Sequence, residues 1–388
     1  MKNIRNQLFW SGILTGIVIR FVLMYWGHNF DFESYCIVGE LAASGNNVYA
    51  FTSRYNYGPI WFILLGTFWK LAAGNILLFR IFIVSTLTLC DFLIAKLISQ
   101  KAGNFWGLIF FLNPISLIIT GYHNQFDNIA VLFGAYAVSC LEKSADERDF
   151  KAADIYGTIL LSFSLITKHI LFAFPLWVLL NKKIDARKKF LYAFIPPLIF
   201  LISFIPYWAE GSQGILNNVF LYKSFNNFPL LGLGVFNHLG MFLPYQKYIC
   251  LPAFIVLMVG CAYCFRREEI YDLFLLYIIA LVCFSSAIAN QYIVIPCMAL
   301  IILLRKKSAL YFLLGLLFLS LNKNGLHILL WLENNYGIKF SFFDGINLNF
   351  FIRILGSGTM YTPFAWCLLY YLIYYYRHKN NLSTNMLR

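Results

Sequence analysis

Long apolar segments recur from one end of this 388-residue chain to the other, and they constrain its fold more than any other feature. Hydrophobic residues make up 60% of the sequence and charged residues 12%, about half of what a soluble domain carries. Such segments favour helices in lipid, because a helix satisfies its backbone hydrogen bonds internally. The sequence therefore predicts an all-α polytopic membrane protein. The apolar segments lie at about 7–25, 59–73, 78–98, 105–121, 128–141, 154–167, 169–180, 189–207, 248–265, 270–284, 289–304, 308–322 and 359–376.

Basic residues indicate how these segments cross the membrane. The chain has 30 Lys and Arg against 17 Asp and Glu, and cytoplasmic loops of membrane proteins are enriched in Lys and Arg. The segment 59–73 is short, begins with Pro59 and contains Lys70, so we expect it to lie at the interface or to re-enter. With that segment excluded and the N-terminus inside, every basic cluster is cytoplasmic. We expect about 12 transmembrane helices and no nucleic-acid partner.

This topology leaves long loops on the extracytoplasmic side, and they hold most of the unusual polar residues. They lie at 26–77, 121–128, 167–170, 208–247, 284–290 and 323–358. A transporter more often carries its polar groups at mid-membrane, on broken helices of two related halves. The sequence also lacks the Walker A, GxGxxG, HExxH and GxSxG patterns. It therefore favours chemistry on the outer face that does not involve nucleotide hydrolysis.

The first outer loop contains the stretch "HNFDFESY", with the carboxylates of Asp31 and Glu33 just after the first apolar segment. They precede a helical pattern from Tyr35 to Ala43, with Gly45 as its C-terminal cap. One interpretation is that both carboxylates only interact with the helix dipole. The other is a functional role, since the same loop carries further polar groups. These are His28, Arg54, Tyr55 and Tyr57.

Two further outer segments are rich in polar side chains. The stretch "TGYHNQFDN" offers hydrogen-bonding groups that suit sugar hydroxyls, although a solvated turn with Asp127 or Asn128 as a helix cap explains it equally. In "SLITKHILFAFPLW", Lys168 and His169 interrupt two apolar segments. Lys168 either snorkels to the interface or provides a point charge for the phosphate of a membrane-borne substrate.

Arg20, Arg80 and Asp91 lie inside apolar segments, and we expect their partners on other helices.

Three stretches together resemble the GT-C glycosyltransferases that use a lipid-phosphate sugar donor. They are "DFESY…VYAFTSRYNYGPIWF", "ITGYHNQFDNIAVLFG" and "TKHILFAFPLW". Their order is similar to that in the glucosyltransferases that extend the N-glycan precursor from dolichyl-phosphate-glucose, and "SGNNVYAFTSRYNYGP" resembles the first loop of the GPI mannosyltransferases. The resemblance implies a GT-C-like membrane module at 1–180 with a catalytic first loop. Residues 181–388 would form a variable module that completes the donor and acceptor sites.

The resemblance also implies roles for individual residues. Asp31 would be the general base of an inverting transfer, and Glu33 would orient the acceptor. No cofactor is required in this interpretation; the alternative is a Mg²⁺ or Mn²⁺ ion held by Asp31 and Glu33. The donor phosphate would be bound by Lys168, His169 and Arg54. Sugar and acceptor would be bound by His123, Asn124, Gln125, Asp127, Tyr57, Gln291 and Tyr292.

The expected function is transfer of a hexose, of glucose or mannose type, from a polyprenyl-phosphate donor to a lipid-linked or cell-envelope glycan. The modest length favours a bacterial inner membrane and an undecaprenyl carrier. Two alternatives remain open at the level of sequence. One is a lipid-linked oligosaccharide flippase or transporter, and the other is a polysaccharide polymerase.

Overall fold

The computed structural model describes residues 2–221, 246–285, 289–321, 326 and 362–385. These residues are helical and include no strand, which confirms the all-α prediction for this part of the chain. Short 3₁₀ or π-helical turns connect several helices. The α-helices are α1 Lys2–Trp26, α2 Phe30–Ala43, α3 Val48–Phe51, α4 Pro59–Ala72, α5 Ile76–Ala102, α6 Asn104–Leu112, α7 Pro114–Ile118, α8 Asp127–Leu141, α9 Ala152–Thr167, α10 Phe174–Leu180, α11 Ala186–Ile202, α12 Trp208–Gly214, α13 Gln246–Cys264, α14 Ile270–Phe284, α15 Cys297–Leu304, α16 Ala309–Leu321 and α17 Thr362–Asn385.

Three helical spans are long and apolar enough to cross a bilayer: Gln7–Trp26, Ile76–Ala102 and Ala186–Phe220. Two bent pairs raise this number to five if each counts as one span. They are α6 with Pro114–His123, bent by 46°, and α9 with His169–Leu180, bent by 110°. The described part of the chain therefore has the helices of a membrane protein.

Local sequence signals explain where individual helices begin and end. The side chain of Asn75 accepts the backbone N–H of Leu78 at 3.0 Å and caps α5, which ends at Gly103 with a φ of +100°. Helix α2 ends as the sequence predicts, because Gly45 adopts a φ of +78° just beyond it. Its start lies at Phe30, five positions before the predicted Tyr35, since Asn29 caps it.

The segment predicted to lie at the interface or to re-enter forms α4, which has 14 residues. At 1.5 Å per residue this helix is about 21 Å long, shorter than the hydrocarbon core. It packs closely on α2: a Cβ atom on Gly66 would lie 2.8 Å from the Cβ of Ala42. The close approach lets α4 hold α2, the helix that carries Asp31.

The chain forms two compact units, and the predicted division at residue 180 into a GT-C-like and a variable module stays a prediction. The first comprises Met1–Leu112, Ser116–Lys223 and Val259–Tyr277, and the second comprises Asn113–Ile115, Ser224–Met258 and Ile278–Arg388. The predicted outer loops at 208–247 and 323–358 fall largely outside the described residues.

Candidate functional site

Three segments of the first unit meet at the candidate site. They are the start of α2, the stretch that joins the π-helical turn Ile119–His123 to α8, and the break between α9 and α10. Polar side chains from all three contact one another, although they are far apart in sequence. We call this group the Asp31 cluster; it consists of Asn29, Asp31, Tyr35, His123, Gln125, Asp127 and Lys168.

Asn29 positions the carboxylate of Asp31. Its side-chain oxygen accepts the backbone N–H of Asp31 at 3.1 Å, which is the N-cap bond of α2. Its Nδ2 atom donates to Asp31 Oδ2 at 3.0 Å and to His123 Nδ1 at 3.0 Å. A single asparagine thus starts the helix and ties it to the second predicted loop.

Gln125 donates a further hydrogen bond to the same carboxylate oxygen. Its Nε2 atom lies 2.5 Å from Asp31 Oδ2, and its Oε1 atom accepts from the Tyr35 hydroxyl at 3.2 Å. Because the hydroxyl occupies Oε1, the amide is oriented with its nitrogen towards Asp31. No residue in the described part of the chain donates to Asp31 Oδ1. The half-buried carboxylate therefore accepts hydrogen bonds at Oδ2 and has no described donor at Oδ1.

Burial raises the pKa of the Asp31 carboxyl above its ordinary value. The hydrogen bond from Asn29, the charge of Lys168 and the hydrogen bond from Gln125 act in the opposite direction and stabilise the carboxylate. The cluster thus contains a carboxylate that binds a proton more strongly than an exposed aspartate does. This property suits a group that must accept a proton from a ligand.

His123 has a buried ring nitrogen without a hydrogen-bond partner among the described residues. An amide nitrogen only donates, so Nδ1 accepts from Asn29 and the neutral ring carries its hydrogen on Nε2. Nε2 is buried and has no hydrogen-bond partner among the residues that the structure describes. Buried polar atoms are rarely left unpaired. This N–H group is therefore a candidate donor to a ligand.

Lys168 and Asp127 form a buried ion pair. Lys168 Nζ lies 2.7 Å from Asp127 Oδ2, and the two side chains are 3% and 0% exposed. The ammonium group also faces the rings of Tyr57 and Phe126, whose centres are 5.0 and 4.8 Å away. The other oxygen of Asp127, Oδ1, is buried and accepts no hydrogen bond from another described residue. Asp127 thus offsets the charge of Lys168 and keeps one acceptor unused.

A close backbone contact fixes the turn that carries Lys168. Helix α9 ends at Thr167, Lys168 is extended with φ −151° and ψ 121°, and the chain then turns by 110°. A Cβ atom on Gly58 would overlap the carbonyl oxygen of Ile166, in the last turn of α9. Only glycine fits there, so the "YGP" stretch before α4 lies directly against the turn.

The other predicted residues lie around the cluster or outside it. Arg54 is exposed, with its guanidinium carbon 4.4 Å from the ring centre of Phe30, the residue before Asp31. His169 is half-buried, and its Nδ1 atom is buried without a partner among the described residues. Gln291 and Tyr292 belong to the second unit, where they are half-buried in a 3₁₀ turn.

Glu33 does not point towards Asp31. It is exposed and lies two positions further along α2, and residues with that spacing face different sides of a helix. In the part of the chain that is described, no three His, Cys, Asp or Glu side chains are grouped so that they could hold a metal ion. The geometry therefore gives no support to a shared metal site at Asp31 and Glu33.

Asn124 uses its side chain to shape the second loop. It has a φ of +57°, and its Nδ2 donates to the carbonyl oxygens of Thr120 at 3.0 Å and Gly121 at 2.9 Å. Its Oδ1 accepts from Arg80 Nε at 2.8 Å. In this geometry its side-chain amide already forms its hydrogen bonds within the protein.

The helix cap considered for Asp127 or Asn128 is absent, since the N-cap of α8 is Phe126, without a side-chain bond.

A second buried carboxylate has a different environment. We call it the Asp91 cluster; it consists of Arg20, Asp91, Ser116, Thr120 and Asn128. Asp91 Oδ2 accepts from Arg20 Nη2 at 2.8 Å, Ser116 at 2.9 Å and Thr120 at 2.7 Å, and Oδ1 accepts from Asn128 at 2.5 Å. The side chains of Arg20 and Asp91 are 0% exposed. As the sequence predicts, Arg20, Arg80 and Asp91 all bond outside their own helices.

Sequence reasoning missed two residues of the Asp31 cluster, Asn29 and Tyr35. An asparagine directly before a helix that carries acids in its first turn is an N-cap signal, and it could have identified Asn29. The contact of Tyr35 with Gln125 joins residues 90 positions apart, and nothing local signals it.

Known proteins provide no independent assignment for this arrangement. The chain matches no model of a known family, no curated protein and no solved structure. Its function must therefore be inferred from the chemistry of the site.

Proposed function

We propose that this chain is an integral-membrane glycosyltransferase that moves a hexose, of glucose or mannose type, from a polyprenyl-phosphate donor to a lipid-linked or cell-envelope glycan. The observation that carries the proposal is the asymmetric carboxylate of Asp31, with two amide donors on Oδ2 and none from the described residues on Oδ1. A general base needs an oxygen that a substrate proton can reach. The lack of a described donor on Oδ1 of Asp31 supports this role.

In the proposed reaction an acceptor hydroxyl attacks the anomeric carbon of the donor sugar. The hydroxyl proton moves to Asp31 Oδ1 as the new carbon–oxygen bond forms. The bond between the anomeric carbon and the phosphate oxygen breaks, and its electron pair leaves with the polyprenyl phosphate. Attack opposite the leaving group inverts the anomeric configuration. In this step the acceptor supplies the nucleophile and Asp31 takes the proton.

Cations beside the base favour departure of the phosphate. Arg54 is exposed and lies over Phe30, next to Asp31, which supports a bidentate contact of its guanidinium group with phosphate oxygens. Lys168 contributes positive charge that acts on Asp31, although Asp127 offsets much of it. We therefore assign the main phosphate contact to Arg54 and a supporting one to Lys168 and His169.

Unused polar atoms provide contacts for sugar hydroxyl groups. His123 Nε2 is a donor and Asp127 Oδ1 is an acceptor, and both are buried without partners from other described residues. A hydroxyl group both donates and accepts, so it can satisfy either atom. The ring of Tyr57, half-buried beside Lys168, is an adjacent surface on which a sugar ring can pack.

The finer architecture belongs to the same proposal. About 12 helices would span a bacterial inner membrane in a GT-C arrangement, with the Asp31 cluster facing the extracytoplasmic side and undecaprenyl phosphate as the carrier. Support comes from the three apolar spans and the two bent helix pairs, and from the 14-residue α4, which is too short to cross upright.

One observation favours the flippase alternative, which expects charged groups deep in the bundle. Arg20 and Asp91 lie inside α1 and α5, two of the candidate spans. Their hydrogen bonds are directed at each other and at neighbouring side chains, and both are 0% exposed. A transport path requires exposed polar groups, so we rank this alternative second.

The decisive experiment is a transfer assay on the full chain in proteoliposomes. The donors are a panel of polyprenyl-phosphate glucose, mannose and galactose, and the acceptor is a bacterial envelope lipid extract. We expect mass spectrometry to detect one acceptor lipid carrying an additional hexose, together with released polyprenyl phosphate. Failure of every donor to release its phosphate would overturn the proposal. Translocation of an intact donor would favour the flippase.

A further inference from the structure

The hydrogen bonds around Asp31 are arranged so that its two carboxylate oxygens differ. Asn29 Nδ2 and Gln125 Nε2 both donate to Oδ2, at 3.0 and 2.5 Å. Both amides are fixed in orientation by their own oxygens. That of Asn29 accepts the backbone N–H of Asp31, and that of Gln125 accepts the Tyr35 hydroxyl.

We infer that Gln125 is a positioning residue which, with Tyr35 behind it, holds Asp31 Oδ2 and leaves Oδ1 to take the substrate proton. The role of Oδ1 as a base rests on the transferase function proposed above, whereas the difference between the two oxygens does not. Gln125 does not react. It acts through Asp31, by fixing the carboxylate plane and by stabilising the ionised form with a short hydrogen bond.

Tyr35 determines which end of the Gln125 side-chain amide faces Asp31. A glutamine amide could present either its oxygen or its nitrogen to a carboxylate, and presenting the oxygen would be repulsive. The buried Tyr35 hydroxyl donates to Oε1, so the nitrogen is the atom that faces Asp31. The three groups form a one-way series of donors from Tyr35 through Gln125 to Asp31.

Other charged or titratable groups face Asp31 from the neighbouring segments, and they must remain constant in any test. Tyr35 lies on α2, and His123, Asp127 and Lys168 lie on other segments, whereas the exposed Glu33 points away from Asp31 and Arg54 lies over the ring of Phe30. Replacing Gln125 by methionine changes none of these charges. It keeps the length of the side chain and removes only its hydrogen-bonding groups.

The test is an infrared pH titration of the Asp31 carboxyl in the purified full chain. The spectrum of an Asp31→Asn variant is subtracted to isolate its band, so no substrate is needed. In Gln125→Met we expect the titration midpoint to rise by about one pH unit, because the ionised form loses a donor. Tyr35→Phe should raise it by a smaller amount. Gln100→Met, the same change at an exposed site on α5, should leave it unchanged.

An unchanged midpoint in Gln125→Met would overturn the inference. If that variant does not fold, Tyr35→Phe decides alone, and an unshifted midpoint there overturns it equally. In the transfer assay, the pH at which activity is half-maximal should rise in parallel with the infrared midpoint. If the midpoint moves as expected while no lipid donor supports transfer, the positioning role stands and the transferase function fails.

Discussion

The first unit contains two buried carboxylate clusters, which differ in how completely their hydrogen bonds are formed. In the Asp91 cluster both carboxylate oxygens accept from described neighbours, and Arg20 supplies the opposite charge. In the Asp31 cluster, Asp31 Oδ1, Asp127 Oδ1 and His123 Nε2 have no partner from another described residue. A saturated buried network stabilises a fold, whereas an unsaturated one has capacity for a ligand. The difference supports a structural role for Asp91 and the catalytic role proposed for Asp31.

The largest expected effect is on transfer by Asp31→Asn. This variant keeps the shape of the side chain and removes the base, so the rate should fall by about 10²- to 10⁴-fold, with little change in thermal stability. The rate of hexose transfer in proteoliposomes measures it. The control is Glu40→Gln, which neutralises an exposed carboxylate on the same helix and should retain activity. Full activity in Asp31→Asn would contradict the role of Asp31 as the base, and with it the proposed difference between the two clusters.

The next largest effect is on stability, in Asp91→Ala. Because Arg20 would remain buried without its partner, we expect the free energy of unfolding to fall by about 3 to 5 kcal/mol. Denaturation of the purified protein in detergent measures this change. The control is Glu142→Ala, which removes a half-exposed ion pair with Lys101 and should lower stability by at most about 1 kcal/mol. Equal effects of both variants would contradict a structural role for Asp91.

A third variant distinguishes two roles of Lys168, the ion pair with Asp127 and the proposed contact with the donor phosphate. Lys168→Met leaves Asp127 buried and unpaired, so stability should fall by about 3 kcal/mol. The double variant Lys168→Met with Asp127→Asn removes both charges and should recover most of that loss, as the same denaturation measurement would show. If the double variant is stable and also transfers hexose at the native rate, Lys168 is an ion-pair partner only, and its assigned phosphate contact is wrong.

A smaller loss is expected from Gly58→Ala. The new methyl group would overlap the carbonyl oxygen of Ile166, so the turn carrying Lys168 must shift, at about 1 to 3 kcal/mol of stability. Gly260→Ala is the matched control, because nothing lies within 4 Å of a Cβ at that exposed position in α13. It should leave stability unchanged or increase it slightly. A native melting temperature for Gly58→Ala would show that the Asp31 cluster tolerates displacement of the turn that carries Lys168.

The smallest effect concerns pH. Since the base must be ionised, transfer should decline as the pH falls through the pKa of Asp31, which burial raises above the ordinary aspartate value of about 3.9. The acidic limb of the rate profile should therefore be centred above that ordinary value. A limb at or below the ordinary value would indicate that Asp31 is more exposed to water than the structure places it.

Local patterns were sufficient to predict the helices but not the contacts between them. The apolar segments became helices, and Gly45 ended α2, because hydrophobicity and backbone freedom act over a few residues. The pairing of Lys168 with Asp127, 41 residues apart, depends on packing, and no local signal carries it. For the same reason, the sequence predicted the same role, binding of sugar and acceptor, for Asn124 and Gln125. The structure distinguishes them, since Asn124 bonds to Arg80 and Gln125 to Asp31.

The 94 residues that separate Asp31 from Gln125 also have a consequence for biosynthesis. A ribosome adds about 5 to 20 residues each second, so Asp31 leaves the ribosome roughly 5 to 20 s before its partner exists. During that interval the carboxylate depends on Asn29 and water, and its segment cannot yet be held in its final position. The Asp31 cluster can therefore be completed only after Lys168 has also been synthesised.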